Sequence, residues 1–361
     1  MNLRQAPVLA AVFAFGAPAF AEELHIYNWS DYIAEDTIAK FEELTGIDVI
    51  YDVYDSNEVL EAKLLAGSSG YDLVVPTSDF LRRQIAGGIY MPLDKSKIPN
   101  LANLDPEQMK RAAAYDANND HAIIYMWGTN GIGYNPDMVR ERLGEDAPVD
   151  SWDLILNPEN AAKLADCGIT VLDSATEVFP PLLHYLGYDP GTSNRDEIAE
   201  AAGLIEAIRP YIRYFHSSQY ISDLANGEVC VSVGFSGDVF IAADRAEEAA
   251  RGITVNYSIP KEGTLQWFDM MAIPADAPNP DAAHKFINFI LQPEIMADIT
   301  NYVFYPNAVP ASLEFVSPEI KDNPEIYPPA DVLANLFPSA MRDARTERDF
   351  TRLWTQVRTG Q

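Results

Sequence analysis

With 361 residues, 48% of them hydrophobic, the chain is long enough for a packed core and reaches the size at which one domain usually becomes two. Its 54 acidic residues against 25 basic ones give a formal charge of −29, which makes nucleic acid and anionic membrane poor partners and draws cations towards the surface. Most of that acidity is expected on solvated faces, so charge alone does not choose a ligand.

Residues 1–21 read as a cleavable export signal. Arg4 is the single positive charge, Ala6–Phe15 is the apolar run, and Pro18-Ala19-Phe20-Ala21 offers the small residues a signal peptidase needs. No later stretch approaches the roughly 20 apolar residues that span a bilayer; Phe286–Leu291 is the best candidate and is far too short. The mature chain is therefore expected outside the cytoplasm. There, Cys167 and Cys230 most simply form one disulfide, the alternative being two buried thiols.

From Leu24 strands and helices alternate. A strand over Leu24–Trp29 is followed by a helix over Glu35–Leu44, with Ile38, Phe41 and Leu44 on one face and a stop at Gly46. Asp48–Tyr54 is a second strand; the next helix, Glu58–Ala66, is capped by Ser56 or Asn57 and ended by Gly67. Leu73–Val75 is a third strand. A second alternating unit follows the Gly-rich segment Gly128–Tyr134. It has a strand at Ile169–Leu172, helices near Val178–Tyr188 and over Asp196–Ile208, a strand at Val229–Val233 and a helix over Val239–Ala250. After Ser258-Ile259-Pro260 the pattern changes, and Ala282–Leu291 reads as one more helix. This alternation predicts parallel sheets covered on both faces, in two α/β units whose short Gly-containing joins let the lobes hinge.

In open α/β sheets, ligands bind in the crevice at the carboxyl ends of strands, beside helix N-termini. Here those ends carry Trp29, Ser30, Asp31 and Tyr32 after the first strand, and Thr77, Ser78 and Asp79 after the third. In the second unit they carry Asp173, Ser174 and Glu177, then Phe235, Ser236 and Asp238. Rings and carboxylates share these positions and Lys and Arg are missing from them, which suits an organic cation and not an anion.

Motifs for catalysis are thin. His25, His121, His184, His216 and His284 show no metal-ligand spacing to one another or to the cysteines. Gly234-Phe235-Ser236-Gly237 has its second Gly one place early for a nucleophile elbow, and Gly128–Gly133 lacks the spacing of a dinucleotide fingerprint. Asp116-Ala117-Asn118-Asn119-Asp120 opens like a calcium loop, but His121 stands at its Gly position and Trp127 at its bidentate Glu position, so it reads as a turn. Neither a metal nor a cofactor is expected.

Several long words of sequence carry a family resemblance. They include His25-Ile26-Tyr27-Asn28-Trp29-Ser30-Asp31-Tyr32-Ile33, Tyr54-Asp55-Ser56-Asn57-Glu58-Val59-Leu60-Glu61, Tyr71-Asp72-Leu73-Val74-Val75-Pro76 and Arg213-Tyr214-Phe215-His216-Ser217-Ser218-Gln219-Tyr220-Ile221. Over essentially the whole mature chain, the sequence resembles the periplasmic polyamine-binding proteins of ABC importers, nearest to the putrescine-binding branch. The resemblance implies a two-lobed periplasmic-binding-protein fold of type II, each lobe a mainly parallel sheet flanked by helices, with the ligand in a cleft at the hinge. It places residues 22–130 with 262–305 in the first lobe and 131–261 with 306–361 in the second. It further implies a periplasmic monomer that delivers a polyamine to an inner-membrane ABC permease.

Carried over position by position, Trp29, Ser30 and Tyr32 match ligand contacts of the first lobe, with Asp31 beside them. Glu177 and Asp238 match carboxylates of the second lobe, Asp269 matches the carboxylate that grips one terminal ammonium, and Tyr305 matches an aromatic near the hinge. Cys167 and Cys230 fall where the putrescine-binding branch has its disulfide. The pocket also departs from that branch: Thr77 and Asp79 each replace Ser, Phe235 replaces Trp, and Trp267 replaces Phe. Trp at position 267 resembles the spermidine-binding branch. Putrescine is thus the first ligand expected, and a spermidine-preferring protein of the same family is the alternative. A second alternative has the protein feed a sensor or chemoreceptor in place of a permease. From another class, a secreted hydrolase with Glu177 and Asp238 as acid and base lacks a recognisable catalytic set.

Overall fold

A computed structural model describes residues 22–340 and 342–360, so the expected export signal lies outside the described residues. Ten strands are found among them. The first five are β1 (Glu23–Trp29), β2 (Asp48–Tyr54), β3 (Leu73–Val74), β4 (Ala122–Tyr134) and β5 (Ile169–Val171). The remainder are β6 (Ile212–Phe215), β7 (Val231–Phe235), β8 (Asn256–Ser258), β9 (Leu265–Ala272) and β10 (Phe337–Pro338). They join in the order β2-β1-β3-β9-β4-β7-β5-β6, with β10 beside β9 and β8 beside β4.

The parallel arrangement expected from alternation occupies both ends of this sheet. There β2, β1 and β3 run parallel, as do β6, β5 and β7. The centre is antiparallel, because β4 and β9 run against each other and against β7 and β3 respectively. Neither central strand shows a strand pattern in the sequence, since every residue of each is buried and no wet face imposes alternation. The Gly-rich segment expected as a connection is the second half of β4. Its glycines make room for rings: a Cβ on Gly128 would lie 2.6 Å from Cζ2 of Trp267.

Strand β4 couples two lobes. Its first part, up to Thr129, pairs with β9, whereas Asn130–Tyr134 pair with β7. The hydrophobic core divides at the same place. One cluster draws on residues from Leu24 to Trp127 and from Leu265 to Val309; the other runs from Ile132 to Tyr257 and takes in Phe350, Trp354 and Val357 of the C-terminal helix Ala344–Thr359. The first core also takes in Ala308 and Val309.

Local signals explain the ends of several helices. Thr37–Thr45 stops at Gly46, whose φ of 70° is left-handed, and Ser56 caps Asn57–Leu65 by accepting from the Val59 N–H. Two helices beside the cleft, Ala175–Tyr185 and Ser236–Glu248, begin earlier than hydrophobic periodicity indicates, because their first turns are partly polar. That shift puts Glu177 and Asp238 inside a helical first turn. Cys167 and Cys230 are joined by a disulfide, Cα atoms 5.4 Å apart, beside the paired strands β5 and β7 of the second lobe. The calcium-like loop is a turn in which Asp116 Oδ2 accepts from the N–H groups of His121 and Ala122. Among the described residues, no helix is long and apolar enough to cross a membrane.

Candidate functional site

The two cores meet at a cleft. Its walls are the carboxyl ends of β1 and β7, the segment after β3, the first turn of the helix Ala175–Tyr185, and side chains of β9. A chain of rings crosses from lobe to lobe. Trp29 meets Phe235 at 6.3 Å between ring centres, Phe235 meets Trp267 at 5.9 Å, Trp267 meets Tyr305 at 5.3 Å, and Tyr305 meets Tyr32 at 5.2 Å. The indole N–H groups are already used, since Trp29 Nε1 donates to Val75 O at 2.9 Å and Trp267 Nε1 to Asn130 Oδ1 at 3.0 Å. What the two indoles offer a guest is therefore ring surface, which attracts cations and methylenes alike.

Three carboxylates stand among these rings, Asp269 and Glu177 buried and Asp238 partly so. Asp269, 4% exposed, accepts from Thr77 Oγ1 at 2.7 Å, and Thr77 is fixed by Asn57, whose amide donates to the Thr77 hydroxyl and accepts from its N–H. Asp238 accepts from the hydroxyls of Tyr220 and Tyr305, one on each oxygen, both at 2.8 Å. Gly237 makes the second of these possible, because a Cβ there would lie 2.3 Å from Cε2 of Tyr305. Glu177, 6% exposed, accepts from Asn130 Nδ2 at 2.7 Å, so Asn130 links the Trp267 indole to this carboxylate.

Burial dominates the electrostatics. Desolvation pushes the Asp238 and Asp269 carboxyls up to about 7 and Glu177 up to about 8, against the opposing pull of their hydrogen bonds. Among the described residues, no Lys or Arg lines the cleft. The charges fall into two poles. Asp79 is the charge that acts most on both Asp269 and Glu177, with Asp238 next on Asp269 and Asp269 next on Glu177. One pole, Asp238 with Asp269, gathers about Tyr305 and Tyr32, whose rings meet at 5.2 Å, and the other is Glu177 held by Asn130.

Of the residues expected from the sequence, Trp29, Ser30, Tyr32, Thr77, Glu177, Phe235, Asp238, Trp267, Asp269 and Tyr305 line the cleft. Asp31 and Asp79 do not. Asp31 occupies the turn after β1 at φ 53°, a region Asp tolerates better than most residues, and pairs with Arg245 of the opposite lobe. Asp79 lies off the cleft wall in the first turn of the helix Ser78–Ala86. Two lining residues were not foreseen, Asp55 and Ser217. They follow β2 and β6, so the strand-end rule would have found both had it been applied to those strands. Among the described residues, no group of three or more His, Cys, Asp or Glu could hold a metal ion.

Two lobes meeting over a ring-walled, carboxylate-lined cleft define a binding protein of the two-lobed, type II periplasmic class. The chain belongs to the family of bacterial extracellular solute-binding proteins, whose pattern matches residues 36–328. It is 54% identical to the putrescine-binding periplasmic protein PotF of Escherichia coli, over 98% of this chain and 96% of that one. It is 56% identical to the putrescine-binding periplasmic protein SpuD of Pseudomonas aeruginosa, over 93% and 92%. Among solved structures, the spermidine/putrescine ABC transporter substrate-binding protein PotD of Streptococcus pneumoniae superposes with a TM-score of 0.76 at 29% identity, covering 94% of this chain and 99% of that one.

Proposed function

We propose that this protein is a periplasmic solute-binding protein that captures a linear polyamine, putrescine first, between its lobes and hands it to an inner-membrane ABC permease. The observation that carries the reading is the pair of buried negative poles, Asp238 with Asp269 and Glu177, set among rings with no counter-charge in the cleft wall. A diamine carries a charge at each end of an apolar chain, so it can satisfy both poles while its methylenes lie along Trp29, Phe235 and Trp267. Charge-assisted hydrogen bonds contribute roughly 1.5 to 3 kcal/mol each, and cation–π contact about 0.5 to 2 kcal/mol. An ammonium left unpaired in this setting is costly, so the site discriminates by the distance between charges. The likeness to two putrescine-binding proteins over nearly the whole chain supports the choice of amine.

Capture then proceeds through desolvation. The amine arrives protonated, its charges replace the protons that burial holds on the carboxyls, and the lobes close around it. Thr129 and Asn130 mark the passage from one lobe to the other, and the Asp31–Arg245 pair ties the lobes beside the cleft. Compaction on adding amine is the expected result in small-angle scattering. A spermidine-preferring protein is the second reading, favoured by Trp267, and the two are separated by calorimetry across a panel of amines. Putrescine is expected to bind most tightly, and a panel in which no di- or triamine binds overturns the proposal.

A further inference from the structure

A second concavity lies on the far side of the helix that carries Asp238. One wall of this groove is formed by Phe240, Ala243 and Asp244 of the helix Ser236–Glu248, and the other includes Asn301, Phe304 and Ile320. The walls belong to different lobes. Val239, Ala242 and Ala246 anchor the first wall in the second core, whereas Ile299 and Val303 of the helix Pro293–Val303 anchor the other in the first core. Ile320 moves with that helix, because it clusters with Ala297 and because Asn301 holds the intervening chain, donating to Phe315 O at 3.2 Å and accepting from the Ser317 N–H at 2.9 Å.

Between the groove and the cleft the lobes touch. Gly237 lies so close to the first lobe that a Cβ would stand 2.3 Å from Cε2 of Tyr305 and 2.5 Å from the Val303 carbonyl oxygen. On the first-lobe side, consecutive residues divide the two spaces: Tyr305 lines the cleft, and Phe304, in left-handed backbone at φ 57°, lines the groove with its ring 6.4 Å from that of Phe240. The helix divides them in the same way. At 3.6 residues per turn, Arg245 returns to within about 20° of Asp238, and it pairs with Asp31 beside the cleft, whereas Phe240, Ala243 and Asp244 fall about 120° to 160° away. The contact at Gly237 is therefore a fulcrum. A rotation that parts Asp31 from Arg245 and Tyr305 from Asp238 brings the groove walls together.

We propose that this groove controls the cleft from behind: it is widest when the lobes are closed and has to narrow for them to part, so the space left in it sets how readily the empty protein opens. The inference rests on the reading of capture by lobe closure and deepens it. An amine held between the lobes binds the closed form, so its apparent affinity is the intrinsic one reduced by the fraction of empty protein that is closed. A larger side chain in the groove clashes with the opposite wall in the open form and has room in the closed one. It raises the closed fraction and tightens binding without touching the ligand. Ala243 is the small residue on the helical wall, and its size leaves the lobes free to part.

The test fills the groove and reads the empty and the loaded protein separately. Ala243→Trp is expected to make the amine-free mature protein more compact in small-angle scattering and to tighten putrescine binding at least about fivefold in calorimetry. Asp244→Trp, at an exposed position on the same wall, is expected to act in the same direction and carries the test if Ala243→Trp does not fold. Glu206→Trp, exposed on the helix Arg195–Ile208 and no part of the groove, is the control and is expected to change neither readout. If the groove variants fold, as their melting curves report, and leave the scattering of the empty protein unchanged, or if their putrescine affinity stays level or falls, this inference alone is overturned. If the unaltered protein and the variants bind no amine while the groove variants are still the more compact, the polyamine reading falls and the role of the groove in closure stands.

Discussion

Each lobe brings an aspartate to the negative pole of the cleft, and the two are built differently. Asp238 of the second lobe stands in a helical first turn at the end of β7, where unpaired N–H groups favour a carboxylate, and two tyrosine hydroxyls hold it. Asp269 of the first lobe sits in the middle of β9, with no helix terminus nearby in sequence, one threonine hydroxyl donating to it and the Tyr32 hydroxyl close by. Burial still pushes both carboxyls to about 7. Support from the protein therefore does not set the outcome. Burial does, and the less supported aspartate depends more on the incoming cation.

The lobes also differ covalently, and the largest expected effect tests whether that difference reaches the cleft. The disulfide closes a sequence separation of 63 within the second lobe. Replacing both Cys167 and Cys230 by Ser is expected to cost about 4 kcal/mol of unfolding free energy on the chain-entropy estimate. Amine affinity, measured in the same preparation well below the denaturant midpoint, should hold to within a few-fold, and a larger loss would mean that the disulfide shapes the site. Next comes Asp269→Asn, expected to weaken putrescine binding by more than about 1.5 kcal/mol, and by more than Asp238→Asn does. Equal losses by calorimetry would remove the asymmetry drawn between the two aspartates.

Acidity should act on both poles together. The carboxyls of the empty cleft titrate near 7 and 8, far above their ordinary values near 4. The folded, empty protein thus keeps protons that the unfolded chain has lost. The stability these groups lend is complete below about pH 4 and is lost as pH rises through their folded values. Binding runs the other way, because a cation needs the ionised form. Putrescine affinity should be at least about tenfold weaker at pH 6 than at pH 8, and the rise in melting temperature on adding amine should be larger at pH 8. A flat affinity profile would mean the carboxyls are already ionised when empty. The smallest effect is expected for Tyr220→Phe, about 1 kcal/mol of affinity or less, since Tyr305 still holds Asp238.

The contrast between the two aspartates also explains what the sequence reveals. Glu177 and Asp238 follow β5 and β7, so the rule that ligands gather at strand ends finds them from residues alone. Trp267 and Asp269 belong to a central strand that runs the opposite way and is buried on both faces, so only the resemblance to a known family points to them. The same physics hides β4, whose glycines look like a flexible join and instead let Trp267 lie against the backbone. Asp55 and Ser217 were within reach of the strand-end rule.

The most direct test of the two-pole cleft is a crystal structure with putrescine bound. One ammonium is expected within hydrogen-bonding distance of Asp238 or Asp269 and the other turned towards Glu177, with the methylenes along Trp29, Phe235 and Trp267. An amine bound outside this cleft, or one whose nitrogens face rings and solvent while all three carboxylates stay unpaired, would contradict it.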